Sequence, residues 1–470
     1  MALPRSRRYV ALFAALGLGA GLVPVATAAS PAAGFITQSA PMLTPLLAGL
    51  EVKPIITVGD RLANGYRFEA IPDGIAVDPS GRTNVDIYVN HETSTVPFPV
   101  PPNGLADFDN AQLSHLTLKR GAGKVLDGEL VIASASNYQR FCSNFFAGPA
   151  QGLDRNLVLT NEETSDLVNR TGAAWPAGAG AEQAGVVVAY DPATGDHRSI
   201  YGLGRMNHEN AVAVPGFGHP VVVTGDDTFA APSSQLYMYS AATSDGVWND
   251  SGTLMGFVSD NTAVNDYGDL SLGQTVSGHF VAIPRQVATG DQTGLETWSN
   301  ANNVFQFIRI EDLAYDKTSP NVIYFADTGE PRAIPNATTG RLSRGSSSTR
   351  GPWGNGRIFK LVLNPADPTD VDSLSILVDA DAAGYNNAAA LHQPDNVETT
   401  ADGKLLVTED PGGHNRVSAT FPDATNARLW EYDLATGAGA PIAVVSHPTA
   451  DWESSGIVDV SQYFGPGAFL

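Results

Sequence analysis

The chain has 470 residues, of which 49 are acidic and 27 are lysine or arginine, giving a formal charge of −22. Such a surface repels nucleic acid and anionic lipid, which removes both as natural partners. A single cysteine, Cys142, rules out an internal disulfide and leaves three roles open: buried filler, free thiol or metal ligand.

Residues 1–28 read as an export signal. Arg5, Arg7 and Arg8 form a basic start, an apolar stretch follows from Val10 to about Leu22, and Ala26-Thr27-Ala28 offers small residues for cleavage before Ala29. The apolar stretch is shorter than the roughly 20 residues of a spanning helix, and Pro24 interrupts its end, so no membrane span is expected. Ser6-Arg7-Arg8 is similar to a twin-arginine signal, with Val10 where an aromatic is usual. The expected location is the periplasm or the extracellular space. Residues 29–49 read as a leader strand or arm, and residues 50–470 as the single domain onto which it lies.

Beyond the leader no window has the pattern of a long amphipathic helix. Short β-rich runs recur between Gly, Pro, Asn and Asp turns, an all-β pattern. Val186 to Tyr190 precedes Asp191-Pro192-Ala193-Thr194-Gly195, and Leu429 to Tyr432 precedes Asp433-Leu434-Ala435-Thr436-Gly437. A second unit pairs a polar or acidic start with an apolar strand, a turn, a second strand and an acidic end. It runs from Pro72-Asp73-Gly74 to Asn90-His91-Glu92, from Asn207-His208-Glu209 to Asp226-Asp227, from Glu311-Asp312 to Asp327, and from Pro394-Asp395-Asn396 to Glu409-Asp410. Successive β-propeller blades present comparable strand ends around one channel in this way. The expected fold is therefore an all-β propeller, six-bladed, with irregular blades and long insertions; a β-sandwich is the competing arrangement. Residues 331–356, rich in Gly, Ser, Thr, Asn and Arg, read as a long loop: a lid, or equally a solvated insertion. An end on Phe469-Leu470 suggests a further strand beyond the sequence.

Hard cations such as calcium take several oxygen ligands, chiefly carboxylates. Glu92, Glu162, Glu163, Glu209, Glu311, Asp395, Asn396 and Glu409 stand at strand ends, so their convergence on one channel would create a cation site, the alternative being a blade-to-blade hydrogen-bond network. Arg309 lies two residues before Glu311, on the same side of an extended strand, where it could hold a substrate anion. His91, His208 and His392 adjoin these residues, as ligands or as orienting partners. Glu453, in Asp451-Trp452-Glu453-Ser454-Ser455-Gly456, would tie the last blade to the first or serve the site. No EF-hand, zinc-finger, phosphate-loop or nucleophile-elbow motif occurs.

In chain order these residues resemble the PhoX family of secreted alkaline phosphatases. Asn90-His91-Glu92, Cys142 with the later Asn161-Glu162-Glu163, His208-Glu209, Gly225-Asp226-Asp227, Arg309-Ile310-Glu311, Pro394-Asp395-Asn396 and Glu453-Ser454-Ser455-Gly456 are similar to the family's motifs. Phe145-Phe146-Ala147-Gly148 departs from the family's glycine-rich cysteine block, and the proline of its arginine-proline-glutamate motif is Ile310 here. The resemblance implies a propeller hydrolysing phosphoric esters at a calcium and iron centre. It implies Glu92, Cys142, Glu162, Glu163, Glu209, Glu311 and Asp395 as metal ligands, and Arg309, Asn90 and Asn396 on the substrate side, with a small phosphate ester as partner; the expected state is a monomer. Another calcium-dependent propeller hydrolase, of lactonase or phytase-like type, and a non-enzymatic calcium-stabilised propeller are the competing readings.

Overall fold

The structure is a computed structural model that describes residues 34–92, 110–168, 170, 182–228, 234–336, 338–346, 348–384, 387, 389–410, 426–446 and 453–470. The export signal lies outside the described residues. Five four-stranded antiparallel units follow one another along the chain. Their innermost strands are Pro72–Val77, Phe141–Ala147, His208–Ala213, Ile310–Tyr315 and Pro394–Thr399. The second strands are Asn84–His91, Leu157–Glu162, Val221–Asp226, Val322–Asp327 and Lys404–Glu409.

Burial follows position in the blade. The third and fifth innermost strands are buried at every residue, whereas outer strands such as Thr275–Ala282 alternate buried and exposed positions, the period-2 signature of a sheet with one wet face. That outer strand also joins the third and fourth units into one nine-stranded sheet. Aromatic side chains fill the space between these units: Phe307 packs edge-on against Phe325 and Phe359, which stack on each other at 5.1 Å. The two Asp-x-x-Thr-Gly turns join the third and fourth strands of the second and fifth blades. In each, the aspartate side chain accepts a backbone N–H and glycine takes positive φ, +77° at Gly195 and +68° at Gly437.

The propeller is present, but the described residues hold five four-stranded blades where six are expected. The interval between the fifth and first innermost strands is filled by an irregular C-terminal wedge. Gly456 N–H donates to Asn396, Ser455 Oγ donates to Asp73 Oδ1 at 2.9 Å, and Asp459 N–H reaches Glu398. Val458 and Leu470 exchange backbone hydrogen bonds within this wedge. The leader spans the same seam from outside: Phe35 bridges Val125 at the edge of the first blade, and Leu43–Pro45 pairs with Ala443–Val445 of the fifth. Residues 331–356 include a small hairpin, Ala333–Pro335 with Leu342–Arg344, anchored by Arg332 and Arg344 on the buried Glu330.

Candidate metal centre

All five blades repeat one local device at the channel mouth. The first residue of each innermost strand pairs with the last residue of its neighbour: Pro72 with His91, Phe141 with Glu162, His208 with Asp226, Ile310 with Asp327, and Pro394 with Glu409. The register shifts immediately afterwards in every pair, over Pro72/Ile75, Phe141/Asn144, His208/Ala211, Ile310/Leu313 and Pro394/Val397. Such bulges free a side chain from the pleat and re-aim it. The second residue of each innermost strand sits in the bulge, and these five residues are Asp73, Cys142, Glu209, Glu311 and Asp395.

They meet. Donor atoms of Cys142, Glu163 and Glu209 lie within 4.8 Å of one another, as do those of Asp73, Glu92 and Glu453, and those of Glu209, Glu311 and Asp395. Glu209 belongs to two groups, and the Cys142 thiol joins the first group to the second, donating to Glu209 Oε1 at 3.1 Å and to Asp73 Oδ2 at 3.3 Å. Ser143 Oγ also donates to Glu209, at 2.8 Å. Burial, and then the neighbouring carboxylates, hold Glu209, Glu311 and Asp395 well above the usual carboxylate range. Burial likewise pushes Glu92 up to about 8 and, with Asp73 and Glu209 beside it, the Cys142 thiol well above its ordinary value. Glu311 Oε1 is buried and accepts no hydrogen bond, although Arg309 Nη2 lies 3.1 Å away. Seven clustered carboxyl groups carry a repulsion that bound cations relieve. The oxygen donors fit calcium, and the one sulfur donor fits a softer ion such as iron.

The adjacent acids Glu162 and Glu163 face different surroundings. Glu163 reaches Arg140 at 3.0 Å and joins the Cys142 group. Glu162 instead ends its strand as a backbone anchor, accepting from the N–H groups of Gln139, Gly185 and Val186 and from Arg170. Asp327 holds the N–H groups of Ile308 and Arg309, and Glu409 holds His392 N–H, at the equivalent places of their blades. These acids fasten the chain as it enters each innermost strand and do not join the three groups.

The other expected substrate-side residues are also occupied. Asn90 donates to the Cys142 and Ser143 carbonyls and accepts from Asn144 and Thr160. Asn396 donates to Ser143 Oγ and accepts Gly456 N–H. Both belong to a hydrogen-bonded layer beneath the carboxylates that includes the Asn210–Asp312 contact. Arg309 is buried, its Nε and Nη2 forked on Asp227 at 2.7 and 2.6 Å. His208, on Thr224 and Gly204, and His91, on Ser114, are bonded within their own blades. Burial lowers both to about 4, so they are neutral at pH 7.

Sequence reasoning did not select Asp73 or Arg140 for the site. Asp73 could have been found by aligning Pro72-Asp73 on Pro394-Asp395, since both occupy the same bulge. Arg140 has no comparable signal within its own segment. At the far end of the channel a cavity of about 390 Å³ is bordered by Val77, Phe146, Tyr315, Lys317 and Glu398, and none of the three donor groups lines it.

Fold and site together define a β-propeller whose channel mouth is a polyanionic centre able to hold cations. A family model described as Alkaline phosphatase PhoX matches residues 159–450. The chain belongs to this PhoX family, and it is on that ground a phosphoric ester hydrolase. The matched segment contains Glu162, Glu163, Glu209, Arg309, Glu311 and Asp395, while Asp73, Glu92, Cys142 and Glu453 lie outside it. Among solved structures, the Pseudomonas fluorescens PhoX complex with vanadate, a transition-state analogue, superposes with a TM-score of 0.54 at 16% identity, covering 83% of this chain and 82% of that one. A Penicillium chrysogenum α-L-arabinanase gives a TM-score of 0.34 at 8% identity, covering 85% and 83%. No curated protein sequence matches.

Proposed function

We propose that the chain is an exported phosphomonoesterase whose channel mouth holds calcium and iron. The observation that carries this reading is the ring of bulges, through which four carboxylates and a thiol from five blades converge with Glu92, Glu163 and Glu453. Asp73, Glu92, Glu163, Glu209, Glu311, Asp395 and Glu453 are the oxygen ligands in this reading, and Cys142 Sγ is the ligand for iron. Bound cations supply Lewis acidity there, neutralising charge on phosphoryl oxygens and making water a better nucleophile.

The protein's own contribution is to hold these donors in place before substrate arrives. The bulges fix the direction of each carboxylate. Arg309, forked on Asp227, sets the position of Glu311 rather than waiting unpaired for phosphate. The buried amides of Asn90, Asn144, Asn161 and Asn396 stitch neighbouring blades beneath the ring, which supports a positioning role for Asn90 and Asn396. Export to the periplasm or beyond follows from the basic, apolar and small-residue leader; among the described residues no helix is long and apolar enough to cross a membrane.

The test combines elemental analysis of the mature protein with a panel of a phosphomonoester, a phosphodiester and a lactone. Calcium and iron in the protein, with turnover of the monoester that a chelator abolishes, are expected. Metal-free protein that still turns over the monoester, or preferred turnover of the lactone, would sink the assignment.

A further inference from the structure

The ring has a second repeated position, the residue just before each innermost strand. Its carbonyl accepts the N–H of the residue just after the second strand: Ile71 from Glu92, Arg140 from Glu163, Asn207 from Asp227, Arg309 from Thr328, and Gln393 from Asp410. Arginine occupies this position twice, in the second and fourth blades. Both arginines reach back to the acid that follows the preceding blade's second strand, Arg309 to Asp227 and Arg140 to Glu92. Arg140 is thus the structural counterpart of Arg309 elsewhere on the same rim.

The two differ in what their guanidinium groups still offer. The Arg309 side chain is 7% exposed, with Nε and Nη2 forked on Asp227 and Nη2 also 3.1 Å from Glu311. The Arg140 side chain is 40% exposed. Its Nη2 alone spans Glu92 at 3.4 Å and Glu163 at 3.0 Å, its Nε is buried without a hydrogen-bond partner, and its Nη1 has no bond among the described residues. The two acids that Arg140 touches belong to different donor groups, so its head stands between them at the solvent side. The backbone supports this placement with φ of +44°, an unfavourable value for a residue with a side chain, shared by Ile71 and Gln393 at the equivalent positions.

We infer that Arg140 is a further substrate-positioning arginine of this centre, receiving a phosphoryl oxygen of a phosphate monoester on Nη1, the donor its two carboxylates leave open. A guanidinium fork matches phosphate geometry, and a charge-assisted hydrogen bond of this kind contributes more than a neutral one. This assignment rests on the phosphatase reading above.

The experiment uses the metal-loaded mature protein, with inorganic phosphate as the probe by calorimetry and by competitive inhibition. Arg140→Gln should weaken phosphate binding roughly tenfold or more and raise KM for a phosphomonoester by a similar factor. Calcium and iron per folded molecule should stay at the parental level. Arg140→Lys should recover part of the phosphate affinity, and it serves as the charge-retaining variant if Arg140→Gln folds poorly. Phosphate affinity within about twofold of the parent in both variants overturns the inference alone. So does a loss of metal in step with the loss of phosphate, which would make Arg140 a support for the ligands. A parent protein that binds no phosphate overturns the phosphatase reading and this inference with it.

Discussion

The Glu162 carboxylate accepts five hydrogen bonds, three from backbone N–H groups and two from Arg170, while its neighbour Glu163 faces the channel. Replacing Glu162 by Gln leaves Arg170 without its buried partner and should cost about 3 kcal/mol. Denaturant titration should register that loss, with calcium per folded molecule unchanged; a variant of parental stability would remove the anchoring role. Asp226 makes a pH prediction. Burial pushes it up to about 8, against which its bond from Thr228 works only in part. A carboxyl whose folded pKa is raised contributes stability at acid pH that is lost as pH rises through the folded value. The thermal midpoint of the parent should therefore fall, relative to Asp226→Asn, from about pH 4 to about pH 8 and level off above that; parallel midpoints across that window would count against it. Glu162 and Glu163 could not be told apart in the sequence, because adjacent acids at a strand end look alike until the strand's last paired residue is known.

Strands and turns were largely legible, since apolar runs, Asp-x-x-Thr-Gly turns and repeated acidic ends are local signals. The bulges were not. A bulge shows itself as a shift between two strands, and neither strand alone carries it, so the five equivalent positions were visible only as loosely similar motifs. The wedge was half legible: Glu453-Ser454-Ser455-Gly456 stands out as a motif, but its reason is three-dimensional. Gly456 has φ of +69°, and a Cβ there would lie 2.4 Å from the Asp73 carbonyl oxygen. Gly456→Ala should cost more than about 1 kcal/mol, through backbone strain and this clash together. It should also weaken calcium binding, because Asp73 moves with the contact. Scanning calorimetry with and without calcium measures both effects, and an unchanged midpoint in each condition would refute the seam contact.

Across the whole molecule, the charge of −22 is unevenly spread: part of it is gathered and buried at one channel mouth. Nothing in composition separates such a cluster from a solubility device, which is why the acidity excluded partners more firmly than it assigned a site. Because folding assembles the donor groups, a bound cation stabilises the folded state by mass action, by about 2.7 kcal/mol at a hundredfold excess over Kd. A calcium chelator should therefore lower the thermal midpoint markedly, calcium should restore it, and magnesium should do so poorly because it demands tighter geometry. An unchanged midpoint in chelator, with calcium shown to be gone, would exclude a structural cation.

The donor group at the seam also has an order in time. Asp73 and the wedge residue Ser455 that holds it are 382 positions apart, and Glu453 adjoins that wedge. During synthesis the Asp73 and Glu92 side chains wait for a third ligand that emerges only when nearly all of this sequence has left the ribosome. A cation held by all three could be captured only by a chain that has already brought its early and late segments together. Filling of this one group would therefore report completion of the ring, so that only finished molecules could be loaded.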